Sequence, residues 1–210
     1  MGIIINLLMT LGITSGFYES ADEAEHCDSI YLIHKLLCVK FSAEMGEVMI
    51  KQISKNDISE CVNVIRTSFL TVADELGFNN SNAPRFTAFA TTAERLIWQL
   101  ENEHRAMYAY FYDNKIVGYY SLLVLENNEC ELNNLCVLPE YRHMHIGEQL
   151  VKDAYTKARL LDCTKINIGI VEENTVLRQW YEVLGFRHVS TKKFDFFPFT
   201  CGYMEKDLKT

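Results

Sequence analysis

The stretch from Leu135 to Leu161, LCVLPEYRHMHIGEQLVKDAYTKARLL, decides the fold of this 210-residue chain. A short apolar run begins it and stops at Pro139, which is typical of a strand that ends in a turn. The second half carries apolar residues at helical spacing on one face, namely Ile146, Leu150, Ala154, Ala158 and Leu161. The pattern therefore predicts a strand, a tight turn and a helix.

The turn between this strand and helix is cationic, because it contains Arg142, His143 and His145. The helix that Gly147 opens presents unpaired backbone N–H groups and the positive end of its dipole to the turn. Both features attract phosphate, and an arginine in the turn adds a bidentate phosphate contact. The turn is therefore a candidate phosphate site with Arg142 as its charged ligand.

Two sequence blocks resemble the GNAT superfamily of acyl-CoA N-acyltransferases. The turn is similar to the family's coenzyme A pyrophosphate loop, R/Q-x-x-G-x-G/A, with Arg142 and Gly147 in place but His145 at the first glycine. The segment 174–186, NTVLRQWYEVLGF, resembles the family's N-x(6)-Y-x-x-x-G-F helix. Since the order and spacing of both blocks agree, the resemblance covers about residues 47–208.

The resemblance implies a fold, an activity and a set of coenzyme contacts. The fold would be α/β, a GNAT-like twisted mixed sheet of about seven strands with helices on both faces. The activity would be transfer of an acetyl group from acetyl-CoA, as co-substrate, to a primary amine in a ternary complex. The residues expected to hold the coenzyme are Leu135, Cys136 and Val137 in the strand, Arg142, His143, Met144, His145, Ile146, Gly147 and Glu148 at the turn, and Asn174. Asn174 suits a plain helix cap equally well, and both roles are compatible.

Two catalytic roles follow from the same resemblance. Tyr181 is expected to protonate the leaving thiolate, because a phenol with an ordinary pKa near ~10 is protonated at neutral pH. The alternative is a core tyrosine, since Tyr181 shares a helix face with Leu177 and Leu184. Glu131 is the expected general base, directly or through water, with Glu129 in reserve. A strand glutamate beside a polar turn is otherwise simply solvated, and some family members use no side-chain base.

The strand from Cys130 to Leu138 changes phase along its length. Leu132 belongs to one face, whereas Leu135 and Val137 belong to the other. Because side chains alternate with a period of two, an extra residue near Asn133 or Asn134 would explain the change as a β-bulge. A strand buried on both faces is the competing interpretation.

Composition excludes several classes of protein. The net charge of −8 disfavours sequence-independent nucleic-acid binding and is compatible with a cationic amine as substrate. Seven cysteines without a C-x-x-C pair predict reduced thiols in a cytoplasmic protein instead of a disulfide frame. His143 and His145 have no third ligand at recognisable spacing, so no metal is expected. No apolar stretch reaches 18 residues, so no membrane span is predicted.

Residues 1–46 differ from the rest of the chain and are interpreted as a poorly ordered extension or a misplaced start, ahead of an acetyltransferase domain at residues 47–210. Met45 and Met49 stand at this boundary. The expected partners are acetyl-CoA and an amine acceptor, which is a small molecule, a peptide N-terminus or a lysine, without nucleic acid or membrane. A monomer and a homodimer are both compatible with the sequence. The rival function is a non-catalytic acyl-CoA-binding regulatory domain.

Overall fold

A computed structural model describes residues 48–208, in which seven strands form one mixed sheet. The strands are β1 (Val48–Gln52), β2 (Ala106–Tyr112), β3 (Lys115–Val124), β4 (Glu129–Val137), β5 (Lys165–Val171), β6 (Arg187–Lys193) and β7 (Thr200–Asp207). They lie in the order β1-β2-β3-β4-β5-β7-β6. The fold predicted from the sequence is confirmed. The interpretation of residues 1–46 lies outside the described residues and stays a prediction.

The helices of the described region are α1 (Ile58–Leu76), α2 (Thr87–Ala90), α3 (Ala93–Asn102), α4 (Ile146–Leu160) and α5 (Thr175–Val183). Within residues 48–208, no helix is long and apolar enough to cross a bilayer. Asp57 occupies the N-cap position of α1, but its side chain makes no cap hydrogen bond to that helix. Ser54 caps a preceding 3-10 turn, and the carboxylate of Asp57 accepts a hydrogen bond from the Ser54 N–H at 2.7 Å. This bond holds the pKa of Asp57 below its ordinary value.

Helices pack on both faces of the sheet, as two neighbouring tyrosines of β3 show. The hydroxyl of Tyr120 donates to the Asp153 carboxylate of α4 at 2.6 Å. Tyr119 points to the opposite face, where it lies near Cys61 of α1. Both tyrosines are fully buried, so the sheet is the middle layer of three.

The middle of the sheet contains the predicted β-bulge. Tyr119 pairs with Cys136 and Ser121 pairs with Asn133, so β4 has one residue more than β3 across this interval. Asn134 takes up the extra length in the left-handed region, at φ 54°. The phase change in the sequence is therefore explained by a bulge at Asn133–Asn134.

Gly118 of β3 lies where α4 and β4 pack too closely for a side chain to fit. A Cβ added there would lie 2.9 Å from Leu150 Cδ1 of α4 and 3.2 Å from the Cys136 carbonyl oxygen of β4. We expect Gly118→Ala to lower the free energy of unfolding by about 1–3 kcal/mol, because the core must move apart. Gly169→Ala on β5 is the matched control, since a Cβ there meets no atom within 4 Å. Equal melting temperatures for the two variants would contradict this account of the packing.

Candidate active site

A gap opens in the sheet where β4 and β5 separate. These two parallel strands pair only from Glu129 to Glu131, opposite residues 165–167. Beyond that point β4 continues along β3, while β5 continues along β7 as far as Val171. The edges of β4 and β5 that face each other therefore have no strand between them. The bulge at Asn133–Asn134 lies where the separation begins.

The backbone of β4 points N–H groups into this gap. The N–H of Leu138 donates to the Val117 carbonyl of β3 at 2.9 Å. Because alternate residues of a strand direct their N–H groups to opposite sides, the N–H groups of Val137 and Leu135 point away from β3. The gap thus has the edge that an extended amide-containing ligand would pair with.

The turn before α4 lies at the end of β4 and presents a run of open backbone donors. Within residues 48–208, the N–H groups from His143 to Glu148 have no hydrogen-bond partner, whereas that of Gln149 donates to the His145 carbonyl. Six consecutive free N–H groups at a helix N-terminus fit a pyrophosphate. Among the residues that the structure describes, no side chain caps this helix, so its N-terminus is open to a ligand.

The two histidines of this turn adopt the backbone conformation that glycine usually supplies. His143 has φ 64° and His145 has φ 58°, both in the left-handed region. A side chain there costs roughly 1–2 kcal/mol per residue. The replacement of the usual loop glycine by His145 has therefore kept the glycine-like backbone angle.

The side chain of Arg142 is directed differently from the expectation. Its Nη2 donates to the Ser68 carbonyl and to Thr71 Oγ1 of α1, both at 2.9 Å, and its Nε donates to the Val137 carbonyl at 3.3 Å. Two of the three guanidinium nitrogens are thus used by the protein. The expected bidentate phosphate contact does not fit this arrangement, because it would break these bonds. Arg142 instead ties the start of the turn to α1.

Of the remaining residues around the turn, some pack against the core and others are exposed or charged. Ile146 is buried, and a Cβ at Gly147 would lie 3.4 Å from the Trp180 ring and 3.9 Å from Val137. Met144 is exposed. The carboxylate of Glu148 binds Lys152 and lies 3.4 Å from His145 Nδ1, which lowers the pKa of Glu148. Lys152 therefore offsets a negative charge that would otherwise oppose phosphate.

Asn174 caps α5, as the sequence predicted. Its side-chain oxygen accepts from the Leu177 N–H at 3.0 Å, and its amide nitrogen has no partner in the described part of the chain. The cap and a ligand contact can therefore coexist. The thiol of Cys136 is buried on the α1 side, and this burial raises its pKa to about 12, so it stays neutral and is no nucleophile.

Tyr181 of α5 is a buried residue of the core, and its hydroxyl is a candidate proton donor. The residue is 6% exposed, and its ring packs edge-on against Trp180 and Phe186. Within residues 48–208 its hydroxyl has no hydrogen-bond partner, yet it is not among the oxygens sealed from solvent. Burial raises its pKa above the ordinary value, so the phenol stays protonated.

The two candidate bases on β4 have different surroundings. The carboxylate of Glu129 binds Asn167 at 2.9 Å and Lys165 at 3.3 Å, and these contacts lower its pKa. Glu131 has no such partner within the described residues, and its backbone position is opposite Leu123 of β3. It lies two residues before Asn133, on the same face of β4. Its carboxylate is therefore the freer of the two to accept a proton.

A cavity of about 90 Å³ next to the bulge contains residues that the sequence analysis did not single out. It is lined by Arg85, Thr87, Ala90, Thr91, Arg95, Leu96, Gln99, Arg105, Asn133 and Asn134. We call it the arginine cavity. The three arginines lie ten residues apart in the sequence, but they belong to different parts of the fold, so their spacing does not predict that they meet.

The positive φ angles of the turn generate a stability prediction. His143→Gly and His145→Gly should each raise the free energy of unfolding by up to about 1 kcal/mol, since glycine has no Cβ to strain. His104, at φ 51° and far from the turn in sequence, should behave in the same way. Met144→Gly is the matched control and should lower stability by about 0.5–1 kcal/mol through chain entropy alone. Urea unfolding measures all four, and a loss in both histidine variants would refute the strain.

The structure is similar to solved N-acetyltransferases. The PaiA N-acetyltransferase of Thermoplasma acidophilum, in complex with coenzyme A, matches with a TM-score of 0.64 and 20% identity over 77% of this chain and 99% of that chain. The ribosomal-protein-S18-alanine N-acetyltransferase of Escherichia coli matches with a TM-score of 0.62 and 12% identity, over 78% and 96% of the chains. At these identities the likeness shows the fold.

Sequence comparison points the same way. An uncharacterised N-acetyltransferase from the pepI 3′ region of Lactobacillus delbrueckii subsp. lactis is 24% identical over 159 residues, which are 71% of this chain and 90% of the relative. The model of the acetyltransferase (GNAT) family matches residues 76–186. Because that match spans more than half of its length, this chain belongs to the GNAT family of acetyltransferases.

Proposed function

We propose that this protein transfers an acetyl group from acetyl-CoA to a primary amine, directly and within a ternary complex. The main support for this proposal is the gap between β4 and β5. At the outer end of the gap, the backbone N–H groups from His143 to Glu148 have no partner within residues 48–208. Tyr181 adds a protonated hydroxyl with no protein partner within residues 48–208. Membership of the family and the coenzyme A complex of the Thermoplasma relative support the choice of donor.

The chain's own groups would divide the binding of the donor among them. The free N–H groups of the turn would bind the pyrophosphate, with charge from the dipole of α4. The backbone of Leu135 and Val137 would pair with the amides of the pantetheine arm, as an added strand does. The free amide nitrogen of Asn174 would donate to the same arm. Arg142 contributes by holding the turn in place through α1.

The reaction needs one proton removed and one proton supplied. The amine nitrogen attacks the acetyl carbonyl carbon and forms a C–N bond, which gives a tetrahedral oxyanion; its collapse then breaks the C–S bond. Glu131, directly or through water, takes the proton that the amine loses. Tyr181 donates its hydroxyl proton to the departing thiolate and recovers one from solvent. The N–H of Leu135 or Val137 would stabilise the oxyanion between these steps.

The decisive test is turnover. Purified protein, acetyl-CoA and a panel of amines should give acetylated amine by mass spectrometry and free thiol in equal amounts. The panel must include small amines, peptide N-termini and lysine peptides, because relatives in this fold act on different acceptors, among them the S18 alanine. Tight coenzyme A binding without turnover of any amine would instead favour the non-catalytic acyl-CoA-binding domain.

Tyr181→Phe isolates the proposed acid. It keeps the ring packing and removes only a hydroxyl without a protein partner within residues 48–208, so the melting temperature should change little. Turnover should fall by about 10²–10⁴-fold. Tyr155→Phe is the matched control, because its hydroxyl donates to the Leu184 carbonyl at 3.0 Å. It should lower stability and leave kcat near that of the parent. Parental kcat in Tyr181→Phe, with chemistry rate-limiting, would remove the role.

Glu131→Gln isolates the proposed base with nearly the same shape. We expect kcat/KM to fall by about 10²-fold or more and to lose its dependence on a group that must be deprotonated. Glu129→Gln is the control, since that carboxylate is held by Lys165 and Asn167. It should reduce stability more than turnover. A Glu131→Gln profile of rate against pH that matches the parent would show that the proton leaves by another route.

A further inference from the structure

The arginine cavity has a chemical character that the chain as a whole lacks. Arg85, Arg95 and Arg105 line it, and no Asp or Glu is among its lining residues. The full chain carries a net charge of −8, so this concentration of positive charge runs against the overall balance. A pocket with cationic walls in an acidic protein favours an anionic ligand.

The three arginines differ in how far the protein already uses them. Arg105 pairs with Glu103, so its charge is largely offset. Arg85 lies over the ring of Phe196, 4.6 Å from its centroid, a contact that orients the guanidinium without neutralising it. The backbone N–H of Arg95 donates to Thr92 Oγ1, but its guanidinium group has no hydrogen-bond or ion-pair partner within residues 48–208. Two guanidinium groups are therefore free to bind an anion.

A second observation marks the cavity as a binding site. Gln99 is only 6% exposed, and within the described residues its side-chain amide makes no hydrogen bond. The residue lines the cavity, so its amide faces the space inside. The amide is not among the sealed side-chain atoms without a partner, so it is open to the cavity and can form hydrogen bonds with a ligand or water there.

The position of the cavity links it to the reaction. Asn133 and Asn134 line it, and they form the bulge where β4 leaves β5. Glu131, the proposed base, lies two residues earlier on the same face of β4 as Asn133. A molecule held by the arginines therefore reaches the gap from the side on which its amine would be deprotonated.

We propose that the arginine cavity binds an anionic group of the acceptor, a carboxylate or a phosphate, so that the substrate is a small amine that also carries a negative charge. Arg85 and Arg95 supply charge-assisted hydrogen bonds, and the Gln99 amide adds a neutral one. Diamines are disfavoured, because their second ammonium group would meet the guanidinium groups. This inference rests on the proposed function and names its substrate class.

The test compares acceptors that differ only in the group at the far end. The panel is 4-aminobutyrate, O-phosphoethanolamine, butylamine and 1,4-diaminobutane, with L-methionine and L-methioninamide as an α-amino pair. Acetylation should favour the anionic member of each set by at least about tenfold in kcat/KM. The first two probes distinguish carboxylate from phosphate. Equal or better turnover of butylamine or the diamine would overturn the inference while leaving the acetyltransferase function intact.

Substitution of the cavity arginines tests whether the preference for anionic acceptors depends on the arginine cavity. In the double variant Arg85→Gln, Arg95→Gln, KM for the favoured anionic probe should rise about 10- to 100-fold, while kinetics with its uncharged partner stay the same or improve. Arg66→Gln, an exposed arginine on α1 that does not line the cavity, should change neither. A KM for the anionic probe that the double variant leaves unchanged would contradict the assignment.

Binding provides a readout that does not depend on turnover. Calorimetry with coenzyme A-saturated protein should show millimolar or tighter binding of at least one anionic probe and weaker binding in the double variant. Absence of binding by every anionic probe would overturn the inference even if other amines are acetylated. Binding of an anionic probe without acetylation of any amine would support the cavity and reject the proposed function.

Discussion

The site depends on one constraint, the shortness of the pairing between β4 and β5. Three residues on each strand hold the two halves of the sheet together, and the bulge at Asn134 then carries β4 away. Had the pairing continued, the backbone donors of Leu135 and Val137 would be used within the sheet. The separation leaves them for a ligand, while β3 and β7 keep the strands themselves in place.

The turn before α4 also has backbone N–H groups without partners in the described part of the chain. The protein gives the Arg142 guanidinium acceptors on α1 and leaves the backbone N–H groups from His143 to Glu148 without them. The Arg142 side chain thus fixes the turn, and the backbone N–H groups remain available for the phosphate contact proposed above. The strain at His143 and His145 is the cost of this shape. Side chains therefore hold the turn in place, whereas the proposed ligand contacts there fall to the main chain.

Local patterns in the sequence predicted much of this structure. The buried stripe of α4 from Ile146 to Ala158, the Asn174 cap and the bulge all follow from residue spacing and agree with the structure. Leu161, predicted at the end of that stripe, lies just past the helix and is 38% exposed. The orientation of Arg142 could not be predicted, because its partners lie more than 70 residues away on α1. The arginine cavity was missed for the same reason: it is assembled from separate segments that only the fold brings together.

The contact between Gly147 and Trp180 has a spectroscopic consequence. The chain has two tryptophans, and Trp98 is 54% exposed on α3, so its emission reports mainly on water. The indole of Trp180 lies against the turn that offers the free N–H groups, and a β-carbon at Gly147 would already be within 3.4 Å of it. Any shift of that turn changes the surroundings of Trp180 first. The native chain therefore carries its own fluorophore at the place where a phosphate would arrive.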